Sequence, residues 1–208
     1  MPSAAANDGV RVSNHSYSFA AGWQGGGSGT GWTWWGDTTV AFYEDYKFGF
    51  YGPEAHGIDN IVYNAPYYLP VWAAGNETGK VPLNNGANGH EHENAPPGQL
   101  FYDVHSANGP DGYDTILRHG TAKNILTVGA VSLTSGGYTG PSSVTLWSSS
   151  STGPADQRIK PDLVAPGVNV PSILASGGYG SGSSGTSDAA PVVAGLANLL
   201  VQRHTQLH

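Results

Sequence analysis

The 208-residue sequence contains no cysteine, few charged residues and no long apolar run. The absence of cysteine excludes disulfides, thiolate metal sites and a cysteine nucleophile. Only 8 Lys and Arg stand against 15 Asp and Glu, which gives a net charge of −7. The chain therefore lacks the basic surface that nucleic acids and anionic membranes require. Without an apolar run of about 18 residues, we expect no membrane span.

Glycine, proline and aromatic residues are abundant instead. The chain has 31 Gly and 14 Pro, a load that is also typical of low-complexity disorder. Disordered chains, however, have few aromatic and many charged residues, whereas here each class makes up 11% of the chain. We therefore expect a single folded, turn-rich domain over residues 1–208.

Apolar segments of strand length alternate with helical patterns along the chain. Strands are expected at 9–18, 67–75, 124–133 and 162–167, and helices at 53–65 and 190–203. In the second helix, Pro191 is expected near the start, where its missing N–H costs nothing. This alternation predicts an α/β fold with a mainly parallel sheet.

Two stretches fit no regular element and are expected to be loop insertions, at about 20–50 and 78–119. The first of them begins with a Gly- and Trp-rich segment, residues 20–36. That segment either presents aromatic platforms or is a mobile linker with buried Trp anchors.

The segment Ser183–Pro191, with the sequence SSGTSDAAP, is the most informative in the chain. Small residues and a turn deliver the hydroxyl of Ser187 to the first turn of an apolar helix. Free backbone N–H groups and the positive end of the helix dipole favour a developing oxyanion at that position. The alternative is that Thr186 or Ser187 merely caps the helix.

A second motif is Asn76, which follows Ala73-Ala74-Gly75 at the end of a buried strand. In an open α/β sheet, ligands bind in the crevice at the carboxyl ends of the strands, and the Asn76 amide is expected to point there. The alternative is a local Asx-turn.

Five segments, in their order along the chain, resemble motifs of the subtilases, the subtilisin-like serine peptidases. GTSDAAP at 185–191 is similar to the nucleophile motif Gly-Thr-Ser-Met-Ala-Ala-Pro, and AAGN at 73–76 is similar to the oxyanion-hole motif. VSNHSY at 12–17 resembles the strand that lines the substrate. GTAKN at 120–124, followed by ILTVGAV, and RIKPDLVAPG at 158–167 resemble two further stretches. The resemblance covers residues 10–19 and about 56–203.

The resemblance implies a three-layer fold and a role for each matched residue. Ser187 would be the acyl-accepting nucleophile, and the Asn76 side chain with the Ser187 N–H would hold the oxyanion. The residues implied to contact substrate are Asn14, Ser16, Tyr17, Ala73, Ala74, Gly75 and Thr186. The family also implies a secreted protein that acts on polypeptide or ester bonds, although residues 1–7 show no signal peptide.

The family's Asp-Thr/Ser-Gly and His-Gly-Thr-His motifs are absent from the sequence. Asp37-Thr38-Thr39 lacks the glycine and follows the substrate strand, and His119-Gly120-Thr121-Ala122 only imitates the start of the His motif. We therefore expect an N-terminally truncated catalytic domain without its first strands. Without an adjacent base a serine hydroxyl is a weak nucleophile, so activated esters should react more readily than peptides.

Two alternatives remain open for the function. The chain is either a non-catalytic fragment or peptide-binding module, or half of a split protease that needs the Asp/His part in trans. A substitute base is sought among the histidines, namely His15, His56, His90, His92, His105 and His119. Asp188, where the family usually has Met, either opposes the oxyanion or orients a histidine.

The sequence also suggests an interface and two metal sites. If the first strands are missing, the substrate strand becomes an exposed edge, which predicts self-association. Subtilases often bind calcium, and the candidate oxygen ligands are Asp103, Asn108, Asp111 and Asp114. The segment His90-Glu91-His92-Glu93 either captures a transition metal or forms a solvated loop.

Overall fold

The computed structural model describes residues 9–25, 31–108, 113–132 and 136–208. Its strands, in chain order, are β1 (Val12–His15), β2 (Trp23–Gly25), β3 (Trp32–Trp34), β4 (Leu69–Ala73), β5 (Glu91–His92), β6 (Leu126–Ser132), β7 (Leu163–Val168), β8 (Val170–Ile173) and β9 (Tyr179–Ser183). The helices are α1 (Pro53–Tyr63) and α2 (Thr186–Leu207). Short 3-10 turns span Leu83–Gly86, Arg118–Thr121 and Pro141–Ser143.

Four of these strands form the main sheet, in the order β1-β4-β6-β7. All three pairings are parallel, which confirms the α/β fold with a parallel sheet. Because parallel strands end at the same edge of a sheet, the turns that follow them meet there. Among the described strands, β1 lies at one border of this sheet, as expected for the substrate strand.

A helix covers each face of the main sheet. Val71 and Ala73 of β4 pack with Ala189 and Val193 of α2, while Trp72 packs with Ala55 and Ile58 of α1. Neighbouring residues of β4 thus face opposite sides, as strand geometry requires. The predicted three-layer arrangement is confirmed.

Helix α2 is longer than its apolar pattern predicts, because it begins at Thr186 rather than at residue 190. Pro191 therefore lies inside the helix, and its expected place at the helix start is wrong. Past its first turns, α2 exposes a row of leucines that includes Leu196, Leu199 and Leu200. None of the helices in the described part of the chain is long and apolar enough to cross a membrane.

The two expected insertions contain short strands and pack together. Strand β2 pairs antiparallel with β3, and β3 pairs parallel with β5. Strands of two or three residues are too short to show periodicity, so the sequence does not reveal them. Trp23 and Trp34 are fully buried in this layer, as expected if the tryptophans anchor the segment.

Candidate active site

Ser187 lies in the first turn of α2, at the carboxyl edge of the main sheet. The N-cap of the helix is Gly185, without a side-chain capping hydrogen bond, and Thr186 and Ser187 already lie inside the helix. The capping interpretation of these two hydroxyls is therefore wrong. Among the described residues, no group accepts a hydrogen bond from the backbone N–H of Ser187. This N–H thus remains available to a ligand, next to the positive end of the helix dipole.

Asn76 is held by α2 and not by its own turn. Its Oδ1 accepts hydrogen bonds from the N–H of Thr186 at 2.9 Å and from the hydroxyl of Thr186 at 3.0 Å. These are contacts across 110 residues of chain, so the Asx-turn interpretation is wrong. Because the N–H of Thr186 can only donate, the atom that faces it must be the amide oxygen. The Nδ2 donor of Asn76 is thereby directed away from Thr186.

Thr186 connects the two segments of the site. Its Oγ1 accepts a hydrogen bond from the N–H of Gly75 at 3.0 Å and donates its single proton to Asn76. Thr186 is 1% exposed, so water does not compete for either bond. This buried relay fixes the direction of the amide before any substrate arrives, as oxyanion stabilisation requires.

The turn that carries Asn76 is also held from its other side. Ser151 donates its N–H to the carbonyl of Gly75 and accepts the N–H of Glu77 at its hydroxyl. Gly75 has a φ of +114°, a backbone conformation that glycine adopts without strain. A Cβ at this position would also lie 2.9 Å from the hydroxyl oxygen of Ser151. Glycine is thus required here for both reasons.

The reactive atoms converge above Gly185. A Cβ placed on Gly185 would lie 2.7 Å from Ser187 Oγ and 3.2 Å from Asn76 Nδ2. The hydroxyl and the amide donor therefore share one small space, which the missing side chain leaves open. This arrangement suits the attack of a hydroxyl on a carbonyl whose oxygen turns towards the amide.

A cleft of about 250 Å³ opens in front of these atoms. Of the predicted site residues, those that line it are the catalytic candidates Asn76 and Ser187 and the substrate-contact candidates Ser16, Tyr17, Ala73, Gly75 and Thr186. The side chain of Ala74 is fully buried behind the wall. Asn14 is exposed beside the cleft and donates a hydrogen bond to the hydroxyl of Ser16. Ala74 and Asn14 therefore lie next to residues of the cleft but do not line it.

Ser16 connects the segment after β1 to the first turn of α2. Within an α-helix the carbonyl of Ser187 would accept the N–H of residue 191, but that residue is a proline and has none. The hydroxyl of Ser16 donates to the Ser187 carbonyl instead, at 2.9 Å. The internal proline of α2 thus creates the acceptor by which the segment after β1 is fixed to the site.

Several cleft residues were missed in the sequence, above all Glu77 and Gln24. Both line the cleft, and the Gln24 amide donates to the carboxylate of Glu77 at 3.0 Å. Lys80 forms an ion pair with the same carboxylate at 3.2 Å. The position of Glu77 directly after Asn76 could have revealed it, whereas Gln24 lies in an expected loop insertion.

Two histidines stack on Trp72 behind the cleft wall. The ring centroid of His15 lies 4.2 Å from that of Trp72, and the ring centroid of His119 lies 4.9 Å from it. Both imidazole rings are nearly parallel to the indole. His15 hydrogen-bonds to the Tyr17 hydroxyl, and His119 to the hydroxyl of Ser18. Burial lowers the pKa of both imidazoles.

None of the histidine candidates is hydrogen-bonded to Ser187 Oγ within the described part of the chain. His15 and His119 each reach a cleft residue, but through a different hydroxyl. His56 is exposed on α1 and contacts Asn60. The remaining three, His90, His92 and His105, contact one another.

Asp188 faces the same small space as the reactive atoms. Its Oδ2 would lie 3.5 Å from a Cβ on Gly185. This oxygen is buried, and no described group hydrogen-bonds to it. The carboxylate therefore brings negative charge close to the place where an oxyanion would form, and no described histidine contacts it.

Comparison with known proteins shows the family of the chain. The model of the subtilase family matches residues 2–208. The chain belongs to the subtilase family. Over 113 residues it is 36% identical to the serine protease AprX of Bacillus subtilis (strain 168). The aligned region covers 48% of this chain and 25% of AprX.

Two solved structures are also similar to this subtilase. The Clostridium perfringens CspB protease is 35% identical, with a TM-score of 0.36, over 44% of this chain and 18% of that chain. A mutant of the protease domain of PatA is 19% identical, with a TM-score of 0.49, over 99% of this chain and 48% of that chain. The chain spans less than half the length of each of these relatives.

Two of the four expected calcium ligands of this subtilase contact other groups in the structure. Asn108 Oδ1 accepts the backbone N–H of Trp23 at 2.9 Å, and Asp103 lies among the histidines His90, His92 and His105. Asp111 lies outside the described residues. Calcium binding therefore stays a prediction.

Proposed function

We propose that this subtilase chain is a serine hydrolase that forms an acyl-enzyme on Ser187. The observation that carries the proposal is the convergence of Ser187 Oγ and Asn76 Nδ2 above Gly185, with the other end of the Asn76 amide held by Thr186. Ser187 Oγ attacks the substrate carbonyl and gives up its proton to solvent water, and the oxygen of that carbonyl takes the new negative charge. The Asn76 amide and the Ser187 N–H stabilise it. Collapse of the intermediate expels the alcohol or amine, and water then hydrolyses the acyl-enzyme.

The leaving group decides which substrates this chain can hydrolyse. No described histidine is bonded to Ser187, and the sequence carries neither the Asp nor the His motif of the family. An amine must be protonated to leave, whereas an activated phenolate leaves unassisted. Oxyanion stabilisation and binding alone supply about 10³–10⁴-fold over water. We therefore infer a preference for activated esters over peptides.

Polypeptide is the natural substrate class of this cleft. Strand β1 lies at the border of the described sheet, so that an extended peptide can pair with its open edge. The segment after β1 leads directly to Ser16 and Tyr17 in the cleft. The same open edge is the surface expected to drive self-association, which also stays a prediction.

Hydrolysis of two substrates tests the proposal. The chain and its Ser187→Ala variant are assayed on p-nitrophenyl acetate and on a peptide p-nitroanilide. The matched control is Ser183→Ala, which removes an exposed hydroxyl in β9. We expect ester hydrolysis in the parent and the control and only background hydrolysis in Ser187→Ala. Equal rates in all three proteins would contradict the proposal and favour a peptide-binding module.

The split-protease alternative predicts a different result. If the chain is one half of an enzyme, adding a subtilase segment with the Asp and His motifs should raise peptide hydrolysis by the parent but not by Ser187→Ala. If the chain forms the acyl-enzyme by itself, it hydrolyses the ester without that addition.

A further inference from the structure

A cluster of three histidines and one aspartate lies in the layer formed by the two insertions. The Nε2 atoms of His90 and His105 lie 3.0 Å and 3.2 Å from the Nε2 atom of His92. The Asp103 carboxylate lies 3.4–3.5 Å from each of the three nitrogens. All four candidate ligand atoms are within 4.8 Å of one another.

These separations match a tetrahedral metal site. Ligands about 2.0–2.1 Å from a zinc ion at the corners of a tetrahedron lie about 3.3 Å from one another. Five separations of 3.0–3.5 Å, in which Asp103 presents Oδ1 to His90 and His92 and Oδ2 to His105, bracket that value. The sixth separation, between His90 and His105, is at most 4.8 Å. No other ligand set is needed to complete four-coordination.

The rings of His90 and His105 are oriented by backbone carbonyls. His90 Nδ1 lies 3.1 Å from the carbonyl oxygen of Gly86, and His105 Nδ1 lies 2.6 Å from that of Phe42. Because a carbonyl can only accept, each Nδ1 carries the proton and each Nε2 presents its lone pair to the cluster. Metal-bound histidines typically have such a carbonyl partner on the second ring nitrogen.

Hydrogen bonds alone do not satisfy the cluster. The two lone pairs and the Asp103 carboxylate surround His92, which in its neutral form has one ring proton to donate. Asp103 Oδ1 is buried and has no hydrogen-bond partner. Buried acceptors therefore outnumber donors, and a cation would balance them.

Buried packing surrounds two of the four ligands. His90 and His105 are fully buried, and the His105 ring stacks on Trp34 at 4.3 Å. A Cβ on Gly86 would lie 2.5 Å from the Trp23 ring and 2.8 Å from His90 Nδ1. Only glycine therefore fits where the carbonyl approaches the ring.

The backbone explains why these four residues meet. His90 and Phe101 form an antiparallel bridge with two hydrogen bonds. Residues two apart in an extended segment face the same side. His90 with His92 on one segment, and Asp103 with His105 on the other, can thus face a common point. Glu91 and Glu93, which belong to the segment considered for a transition metal, are not part of the convergent set.

We propose that His90, His92, Asp103 and His105 form a structural Zn²⁺ site. Three imidazoles and one carboxylate are ligands that Zn²⁺ accepts, and a site with four protein ligands leaves no position open for catalysis. The site joins β5 to the segment 103–105, and through Trp23 and Trp34 it packs against β2 and β3. Its role is to hold the insertion layer together, and it does not depend on the activity of Ser187.

Metal titration tests this site. Metal-free protein, prepared with a chelator, is titrated with Co²⁺ and followed by the visible absorption bands of tetrahedral Co²⁺. Zn²⁺ is then added as a competitor. We expect one Co²⁺ per chain, displacement by Zn²⁺, and a Tm that rises with Zn²⁺ because the ion binds the folded state. Absence of tetrahedral bands or of a Tm rise would overturn the proposal.

Three variants locate the binding. His92→Gln alters the most accessible of the three imidazoles, and Asp103→Asn keeps the shape of the carboxylate. The control His204→Gln alters an exposed histidine of α2. We expect a loss of affinity of at least about tenfold in the first two variants and none in the control. Should His92→Gln not fold, Asp103→Asn decides alone, and unchanged affinity in it would overturn the ligand set.

Discussion

The cleft at Ser187 and the histidine cluster are built in opposite ways. The cleft rests on regular elements, the carboxyl edge of a parallel sheet and the first turn of α2. The cluster rests on short strands, turns and one isolated bridge. In the cleft, donors are held in place and point towards open space. In the cluster, acceptors are held in place and point towards one another.

This difference teaches what each site requires. An oxyanion hole needs donors that stay unpaired until the reaction. The protein therefore holds the Asn76 side chain by its amide oxygen and leaves the amide nitrogen free to donate. A structural metal site needs lone pairs that would repel without the ion, so the ion itself completes the packing. We therefore expect changes in the cleft to alter rates and changes in the cluster to alter stability.

The largest effect is expected from Asn76→Ala. Removing one oxyanion donor typically costs about 10²–10³-fold in turnover, so the rate constant for ester hydrolysis should fall by about that factor. Zinc affinity should not change. The matched control is Asn64→Ala, which alters an exposed asparagine at the end of α1. A loss of less than about threefold in Asn76→Ala would contradict the role of this amide.

Two glycine substitutions in neighbouring parts of α2 sharpen the contrast between rate and stability. In Gly185→Ala the new Cβ meets Ser187 Oγ and Asn76 Nδ2, so we expect ester hydrolysis to fall about tenfold or more. In Gly195→Ala the new Cβ has no neighbour within 4 Å. Because alanine is a better helix former than glycine, the free energy of unfolding should rise by about 1 kcal/mol. Ester assays measure the activity of the two variants, and urea unfolding measures their stability. Equal activity of the two variants would refute the crowded geometry at Gly185.

Asp188→Met is expected to increase activity. The Oδ2 atom of Asp188 is buried and faces the space above Gly185, so removal of the carboxylate relieves a repulsion between like charges when the oxyanion forms there. We predict an increase of up to about tenfold in the rate constant for ester hydrolysis. Asp188→Asn, which keeps the shape, should give a smaller increase. A decrease in both variants would instead mean that the carboxylate assists Ser187.

The smallest effect is expected from a change of pH on the free energy of unfolding. Burial lowers the pKa of His15 and His119, so the folded state favours their neutral forms. The stability they contribute is present above about pH 6.5, the ordinary histidine value, and is lost as the pH falls through their lower folded pKa. The free energy of unfolding, measured in chelator from about pH 7.5 to about pH 5, should therefore decrease.

Two variants show which histidine causes the decrease of the free energy of unfolding with falling pH. His119→Gln should flatten the decrease, since an imidazole with a lowered pKa is gone, whereas the exposed His204→Gln should leave it unchanged. An identical slope in His119→Gln and in the parent would show that His119 does not contribute.

The same contrast explains how much the sequence could predict. Ser187 and Asn76 belong to contiguous motifs at the ends of regular elements, and the predicted strands and helices place both at one edge. The relay through Thr186 and the bond from Ser16 to the carbonyl freed by Pro191 join distant segments. No local pattern contains them. The helix start was missed because apolar periodicity begins four residues after the true N-terminus at Thr186.

The histidine cluster shows the limit more clearly. His90 and His92 are visible as a pair, and a transition metal was one of two interpretations of their segment. Their partners depend on the bridge between His90 and Phe101, which only the fold creates. Asp103 was assigned to calcium instead, because a carboxylate among polar loop residues has no sequence signal that distinguishes the two ions.

Acylation of Ser187 tests the central claim most directly. Without a base to activate water, the acyl-enzyme should be hydrolysed slowly and should accumulate. The chain is incubated with p-nitrophenyl acetate, quenched in acid and analysed by intact mass and peptide mapping. We predict one acetyl group on Ser187, retained in the control Ser183→Ala and lost in Ser187→Ala. A parent chain without acetyl on Ser187, which also hydrolyses the ester no faster than Ser187→Ala, would contradict the claim.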